Sequence, residues 1–208
     1  MRFSIIVPVH NAAAFMRKCL DSIKTQSFKD YELIVVCDRC SDNSETVARE
    51  YADKTLITDF GNDGPPRQAG VDVAEGEWIL FLDDDDWWYH CQVLQHINDA
   101  LTDAIDILLF GFIFKSRGYA APLRNVNGVT ALWPAVWNKC YRRTFIKDTR
   151  FRSIVPTPEG DAADIDWTRR IMDLAPRYGV LDEALYFYDY MRPGSQTATK
   201  VKPGGVET

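Results

Sequence analysis

The chain has 208 residues, of which 46% are hydrophobic and 26% are charged, and its formal net charge is -6. That length is sufficient for one domain with a full hydrophobic core, and the composition is that of an ordinary globular protein. The acidic balance argues against a nucleic-acid binder that tracks phosphates, and no apolar run approaches the ~20 residues of a membrane-spanning helix.

The cysteines and the first residues bear on the compartment. The segment MRFSIIVPVHN contains an apolar stretch but no small-residue cleavage site, so it predicts a strand rather than a signal peptide. An odd number of cysteines, five, together with that start predicts reduced thiols. We therefore expect a cytoplasmic protein. A peripheral association with the inner face of the membrane would leave no trace in this sequence.

The first hundred residues alternate between strand and helix patterns. The predicted strands are 3–9, 31–37, 54–58 and 78–82, and the continuous apolar run at 3–9 suits a strand buried on both faces. A helix is predicted after each strand. Asn11 would cap the first helix, and Ser41 or Asp42 the second. A short third helix would run from Pro66 to Gly76, and a fourth would cover 90–101. Four strands that alternate with helices imply a parallel sheet with right-handed crossovers.

After residue 106 the rhythm changes. The prediction for this half is a strand at 107–114, a loop at 116–128, helices at 137–146 and 164–175, and a half-exposed strand at 185–190. The segment from Pro193 is polar and Gly-rich, and we expect a mobile tail there. We expect one domain over 1–208, with a nucleotide-binding half to residue 104, an acceptor-side half at 105–192 and the tail at 193–208.

The segment WILFLDDDDWW, at 78–88, is the most informative one. An apolar run ends there in four aspartates, Asp83–Asp86. Adjacent carboxylates resist ionisation beside one another, so a bound cation would make the cluster favourable, and oxygen ligands suit Mg²⁺ or Mn²⁺. The end of a buried strand also puts the cluster at the carboxyl edge of the sheet, where open α/β folds bind ligands. An acidic, solvated loop is the alternative.

Five segments in order resemble the GT-A fold glycosyltransferases, specifically the large inverting family 2 that uses nucleotide-activated sugars. They are SIIVPVHN (4–11), ELIVVCDRCSDNS (32–44), GPPRQAGVDVAEGEWILFLDDDDWW (64–88), VWNKCYRR (136–143) and ADIDWTRR (163–170). The resemblance covers most of the chain. It implies an α/β, Rossmann-like GT-A fold: a mainly parallel sheet flanked by helices, with a smaller C-terminal acceptor-side region.

The resemblance also implies a nucleotide pocket at the strand ends. Asp38 would accept an N–H of the base, and His10, which replaces the usual tyrosine, would offer a flat ring for stacking. Arg67 would complete the pocket, and Pro8 lies at the same strand end. Taken alone, Asp38 would more often be a helix cap than a ligand.

The family's D-x-D pattern falls on Asp83 and Asp85. By that analogy Asp83 faces the ribose and Asp85 binds the cation, Mn²⁺ or Mg²⁺, which neutralises charge as the nucleoside diphosphate leaves. Asp84 and Asp86 are then expected to be bystanders that shape the field or cap the next segment.

An inverting transfer needs a base that takes the proton of the acceptor hydroxyl. The resemblance assigns this role to Asp164. Ala163 stands where glutamate is usual, and Asp161 and Asp166 are close enough that the assignment could shift by a few residues. The alternative for Asp164 is a cap of the helix that begins there.

Three further features have weaker assignments. Trp137 is interpreted as structural, with acceptor stacking as the alternative. Arg192, in the segment RPGSQT, resembles a residue that closes over the diphosphate, and a mobile tail is the alternative. CDRC, at 37–40, has the spacing of a thioredoxin-like redox pair, but it lies on the second strand of a longer parallel series, so we expect no redox role.

We expect a metal-dependent inverting glycosyltransferase of cell-envelope polysaccharide or glycoconjugate synthesis. It would take a nucleoside-diphosphate sugar as donor and a carbohydrate or glycolipid as acceptor. Two alternatives stay open. A degenerate nucleotide-binding module is suggested by Ala163. A sugar-phosphate nucleotidyltransferase would need a Gly-rich, basic loop after the first strand, which residues 8–18 do not supply. The sequence leaves the sugar, the base and the oligomeric state open.

Overall fold

The structure is a computed structural model that describes residues 1–115, 118–126, 129–154 and 162–189. The first half alternates strands and helices as predicted. Its elements are β1 (Phe3–Val9), α1 (Met16–Lys24), β2 (Tyr31–Asp38), α2 (Ser44–Tyr51), β3 (Lys54–Thr58), α3 (Gly64–Val73), β4 (Trp78–Phe81), β5 (Trp87–Trp88) and α4 (Val93–Ala100).

The second half is richer in strands than predicted. Its described elements are β6 (Ile107–Phe114), β7 (Gly118–Ala120), β8 (Leu123–Val126), β9 (Val129–Leu132), β10 (Lys139–Arg142), α5 (Arg143–Ile146), α6 (Ala163–Asp173) and β11 (Tyr178–Tyr188). Residues 190–208, with the predicted tail and Arg192, lie outside the described residues.

One nine-stranded sheet runs through both halves in the order β3-β2-β1-β4-β10-β6-β11-β5, with β7 paired to β6. The pairs β1–β2, β1–β4, β2–β3 and β6–β11 are parallel. β10 is antiparallel to both of its neighbours, and β5 is antiparallel to β11. The α/β class with a mainly parallel sheet flanked by helices is therefore confirmed.

Three predictions for the second half were wrong. Residues 116–128 were expected to be a loop, but β7 and β8 lie within them. The helix expected at 137–146 is instead the strand β10 followed by a single short helix, because β10 inserts between β4 and β6 and pairs with both. The last strand begins at Tyr178 rather than Leu185, because its first part pairs with β6 from Tyr178 onward.

Two predicted helix caps were also displaced. Asn11 does not cap α1, which begins at Met16, and it instead has a φ of 52° and ties two loops together, as described below. α2 begins at Ser44, and the Asp42 side chain accepts the N–H of Ser44 at 3.0 Å without being the N-cap residue itself.

Helix α3 contacts both β1 and β2. Its approach to the sheet depends on Gly70, where an added Cβ would come within 2.5 Å of Ile6 Cγ2 in β1. Because Ile6 is fully buried, it has no room to yield. This close contact brings the start of α3, and with it Arg67, over the carboxyl end of β1.

Candidate functional site

The carboxyl ends of β1, β2 and β4 meet at one edge of the sheet, because β1 lies between the other two in parallel register. His10 follows β1 and contacts both neighbours. Its Nδ1 lies 2.7 Å from the Asp38 carbonyl oxygen, and its main-chain N–H donates to Asp84 Oδ2 at 3.2 Å. Pro8 is half-buried in the same strand, opposite Val36. The structure thus brings together the strand-end residues that the sequence predicted.

Asp38 is the last residue of β2 and is only 5% exposed. Its Oδ1 accepts hydrogen bonds from Thr58 Oγ1 at 2.8 Å and from the Phe60 N–H at 2.7 Å, and its Oδ2 accepts the Gly61 N–H at 2.8 Å. A carboxylate offers about four lone-pair positions, so three are used inside the protein. Asp38 is therefore no helix cap; it holds the loop between β3 and α3 at the carboxyl edge of the sheet.

Asn11 joins the loop after β1 to the loop after β2. Its Oδ1 accepts the Ser41 N–H at 2.8 Å, and the Ala12 N–H donates to Ser44 Oγ at 2.8 Å. A positive φ is tolerated by asparagine better than by most residues. Asn11, which was predicted to cap a helix, thus holds two loops together. Nothing in the local sequence pattern distinguishes a helix cap from a residue that connects loops.

Arg67 and Asp83 form an ion pair at the centre of the site, with Nη2 donating to Oδ1 at 2.6 Å. The Arg67 side chain is 9% exposed, and its Nη1 donates to the Asp63 carbonyl at 3.0 Å. Burial by itself would lower the pKa of Arg67, but the charges of Asp83, Asp164 and Asp63 raise it above the ordinary value. The buried Nε has no hydrogen-bond acceptor among the described residues, which leaves one donor for a ligand or water.

The four aspartates occupy different environments. Asp83, Asp84 and Asp85 are half-buried, whereas Asp86 is 1% exposed. Asp86 Oδ2 accepts the Tyr186 hydroxyl at 2.6 Å, and Oδ1 accepts the Asp189 N–H at 2.8 Å. Burial, then the charges of Asp83 and Asp85, raise its pKa well above the ordinary value. Asp84 and Asp86 both accept hydrogen bonds from other elements, and their place outside the metal–ribose pair stays a prediction.

No group of three or more His, Cys, Asp or Glu side chains in the described ranges is arranged to hold a metal ion by itself. Mg²⁺ is usually held by one or two carboxylates together with the phosphates of a substrate. The half-buried carboxylates of Asp83 and Asp85 supply that oxygen-only donor set. They fit a cation shared with a ligand rather than a permanent structural metal.

Asp164 lies in the first turn of α6 and is half-buried. The helix is held in place by Trp167, which stacks on Phe151 at 4.4 Å and meets Phe81 of β4 edge to face. Burial raises the pKa of Asp164, the charge of Arg67 opposes that rise, and the charge of Asp83 adds to it. A carboxylate with a raised pKa beside an ion pair is suited to proton transfer.

The structure bears on two of the three alternatives for Asp164. The N-cap of α6 is Ala162, and no side chain caps the helix, so Asp164 is not the predicted cap. Asp166 accepts hydrogen bonds from Arg170 at 2.8 Å, which ties it to its own helix. Asp161 lies outside the described residues.

Lys139 is fully buried beneath this site, and its role was not predicted. Its Nζ donates to the carbonyls of Trp133 and Ala135, both at 2.6 Å, and to Asn138 Oδ1 at 2.7 Å. Burial lowers the pKa of Lys139 to about 7, and the charge of Asp164 opposes that lowering. A lysine within the apolar run VWNKCY was the one available signal, since buried lysines need partners.

The remaining sequence features take structural places. Trp137 is 6% exposed and stacks on Tyr186 with ring centroids 4.5 Å apart, which favours the structural interpretation. Cys37 and Cys40 are free thiols, and burial is the largest cause of the raised pKa of each, to about 12 for Cys37. Reactive thiols have lowered pKa values, so this pair does not resemble a redox site. No helix in the described part of the chain is long and apolar enough to cross a membrane.

Comparison with known proteins identifies relatives of this chain. The family model described as "Glycosyl transferase family 2" matches residues 4–154, more than half of the chain. The chain is 28% identical to the Staphylococcus aureus poly(ribitol-phosphate) beta-N-acetylglucosaminyltransferase TarS, over 96% of this chain and 37% of TarS. It is 29% identical to the uncharacterised glycosyltransferase EpsJ of Bacillus subtilis, over 96% of this chain and 64% of EpsJ. The chain thus spans less than two thirds of the length of these relatives.

Solved structures agree with the described fold. TarS of S. aureus in complex with UDP-GlcNAc has a TM-score of 0.80 at 26% sequence identity, over 96% of this chain and 61% of that one. A mannosyltransferase from Pyrobaculum calidifontis in complex with GDP-Man and Mn²⁺ has a TM-score of 0.69 at 16% identity, over 95% of this chain and 59% of that one. The second likeness concerns the fold alone.

Proposed function

The chain belongs to glycosyl transferase family 2, and from this we propose that it transfers a sugar from a nucleoside-diphosphate donor to an acceptor hydroxyl with inversion, aided by a divalent cation. The observation that carries the proposal is the meeting of the Arg67–Asp83 ion pair with the raised-pKa carboxylate of Asp164 at the carboxyl edge of the sheet. Family membership argues against the nucleotidyltransferase alternative.

The donor is proposed to be a uridine diphosphate sugar. TarS, which is 26% identical over 96% of this chain, was crystallised with UDP-GlcNAc. Pro8, His10, Asp38 and Arg67 would line the base and ribose pocket, with the His10 ring available for stacking. Asp38 has one free lone-pair position for a base N–H, and it would act at least as much by holding the 59–61 loop as by direct contact.

Asp83 would face the ribose and Asp85 the cation. When bound, a Mn²⁺ or Mg²⁺ ion would neutralise the charge that develops on the departing diphosphate. The acceptor oxygen forms a bond to the anomeric carbon as the bond from that carbon to the diphosphate breaks. Asp164 accepts the proton of the acceptor hydroxyl in the same displacement. Trp137 would support the acceptor side only indirectly, because its ring is covered by Tyr186.

The acceptor is proposed to be a cell-envelope polymer or glycolipid. TarS acts on poly(ribitol phosphate), as its name states. A polymer or lipid-linked acceptor would bring the protein to the inner face of the membrane by peripheral association.

Donor binding is tested by melting the protein with UDP, GDP or dTDP, with and without Mn²⁺. We expect UDP with Mn²⁺ to raise the melting temperature, since a ligand at 100 times its Kd adds about 2.7 kcal/mol of stability. If no nucleoside diphosphate stabilises the protein in the presence of metal, the proposal is wrong.

The base is tested by Asp164→Asn against Asp166→Asn in the same helix turn. We expect Asp164→Asn to bind donor normally but to lose about 100-fold or more in turnover, because the proton acceptor is gone. Asp166→Asn should keep its turnover. The wild-type acid limb of kcat should lie above the ordinary aspartate pKa of 3.8, because burial raises the pKa of Asp164. Full turnover in Asp164→Asn would move the base elsewhere.

A nucleotide-binding module without turnover is the second candidate, and Ala163 favours it. This residue is 3% exposed and packs near the start of α3, where a Cβ on Gly64 would lie 3.1 Å from the Ala163 Cβ. The family's usual glutamate is therefore absent from a buried position beside Asp164. Binding of UDP and Mn²⁺ with no sugar transfer or hydrolysis from any nucleotide sugar would favour the module.

A further inference from the structure

Tyr186 connects the aspartate run to an element about a hundred residues away. Its hydroxyl donates to Asp86 Oδ2 at 2.6 Å and accepts the main-chain N–H of Asp83 at 3.3 Å. The other Asp86 oxygen accepts the Asp189 N–H at 2.8 Å. One phenol oxygen therefore touches both ends of the turn that contains Asp85.

The Tyr186 side chain is itself held firmly. It is fully buried in β11, which pairs on one side with β6 at Phe112 and on the other with β5 at Trp88. One ring face stacks on Trp137, at a centroid distance of 4.5 Å and an interplanar angle of 14°. A rigid ring gives its hydroxyl a fixed position, so the hydroxyl can act as an anchor for the turn.

The turn is also closed upon itself and held from the opposite side. The Asp86 N–H donates to the Asp83 carbonyl at 3.2 Å, and the Asp83 carboxylate is bound by Arg67 of α3. Asp83 and Asp86 are thus fixed by α3 and β11, and Asp85 lies between two fixed points.

We propose that Tyr186 is a positioning residue for the metal-binding carboxylate: through Asp86 and the Asp83 main chain it sets the direction in which Asp85 points. This inference rests on the proposed function, in which Asp85 faces the cation. Groups that orient metal ligands through hydrogen bonds commonly contribute about 10-fold to 100-fold in metal affinity. We expect a contribution of that size from Tyr186. Tyr186 itself would not touch donor, cation or acceptor.

The test is Tyr186→Phe, which removes only the hydroxyl and keeps the stacked ring. Binding of UDP is measured by calorimetry across a series of Mn²⁺ concentrations. We expect the Mn²⁺ concentration for half-maximal UDP binding to rise about tenfold or more. Binding of UDP without metal should not change. Asp86→Asn alters the same hydrogen bond from the other partner, and it should shift the Mn²⁺ requirement in the same direction.

Tyr31→Phe is the matched control. Its hydroxyl donates to the Ile23 carbonyl at 3.1 Å, at the start of β2 and thus at the opposite end of the sheet from the site. It should lose stability without any change in the Mn²⁺ requirement. Melting curves of all variants ensure that binding is measured on folded protein.

The outcomes separate the two proposals. A wild-type chain without metal-dependent UDP binding contradicts the proposed function and this inference together. A wild-type chain that binds, with Tyr186→Phe requiring no more Mn²⁺, contradicts the positioning role alone. An equal rise in the Mn²⁺ requirement of Tyr31→Phe would also contradict the positioning role, since it would show a general effect of lost stability.

Discussion

Carboxylates around the carboxyl edge of the sheet differ because their protein neighbours differ. Asp38 is engaged by three donors from its own chain, and Asp86 is engaged by a tyrosine hydroxyl and a main-chain N–H. Asp164 has a raised pKa because it is buried, although Arg67 lies near. Residues of one chemical type thus hold a loop, hold a turn or, in the proposed mechanism, accept a proton.

Lys139 shows the same principle with a cation. Its three short hydrogen bonds engage two main-chain carbonyls and the Asn138 side chain, and so fix the segment that leads into β10. Its charge also lies within reach of Asp164. Lys139 thus connects the segment before β10, through its hydrogen bonds, with Asp164 of α6, through its charge.

Replacing this lysine should weaken the fold. Lys139→Met retains most of the volume but leaves three acceptors without their donor, so we expect a loss of about 1–3 kcal/mol in the free energy of unfolding. Lys147→Met, at an exposed position, should change it by no more than about 0.5 kcal/mol. Urea unfolding at pH 7 measures both. Equal stability of the two variants would show that the buried hydrogen bonds contribute nothing net.

Among the secondary-structure elements, β10 joins the strands of the first half of the chain to those of the second half. It is only four residues long, yet it pairs with β4 on one side and with β6 on the other. Strand β4 leads into the aspartate run, and β6 supports β11 with Tyr186. The short strand therefore fixes the distance between the two halves of the site.

The close contact of α3 with β1 can be tested at Gly70. In a helix Gly→Ala alone would gain about 1 kcal/mol, but overpacking a filled core costs about 1–3 kcal/mol. Because the new Cβ would lie 2.5 Å from Ile6 Cγ2, we expect Gly70→Ala to be destabilising and to weaken UDP binding through a shift of Arg67.

Gly179→Ala is the comparison for that variant. Its Cβ would meet only the ends of flexible side chains, at 3.1 Å from Ile105 Cδ1, so its effect should be smaller. Denaturant unfolding and calorimetry give the two quantities. A Gly70→Ala variant as stable as wild type would mean that α3 can move away from the sheet at little cost.

Among the described residues, His10, Asp38 and the aspartate run, with Arg67 paired to Asp83, lie at one edge of a sheet that is continuous through both halves. Ligand binding should therefore suppress local opening at the carboxyl edge and leave the amino edge unaffected. The Asp189 N–H, bonded to Asp86, reports on the first, and the Trp78 N–H, bonded to the Arg2 carbonyl at 3.0 Å, reports on the second.

Hydrogen exchange with and without UDP and Mn²⁺ tests this expectation. Exchange at Asp189 should slow by up to about 100-fold when the ligand is at 100 times its Kd, and exchange at Trp78 should change little. Equal protection at both edges would indicate global stabilisation instead. Protection at neither would argue that the ligand does not engage the aspartate turn.

Features that depend only on neighbouring residues could be predicted from the sequence. Local periodicity was enough to predict the strands β1 to β4 and β6 and the amphipathic helix α1. The aspartate run could be located at the end of β4 because it directly follows the apolar run of that strand. The five motif segments likewise identified the family, since each is contiguous in the chain. The residues of these segments and their order along the chain were sufficient for that identification.

Contacts between residues that are distant in the chain could be identified only in the folded molecule. The VWNK segment shows no strand periodicity, and β10 forms because its residues pair with both β4 and β6. The bond from Tyr186 to Asp86 joins residues a hundred positions apart, and the partners of Lys139 are set by the path of a loop. Local patterns record which face of an element is apolar, whereas hydrogen bonds between elements depend on how those elements pack. Asp86, one of four identical neighbours in the sequence, is therefore distinguished only in the folded molecule.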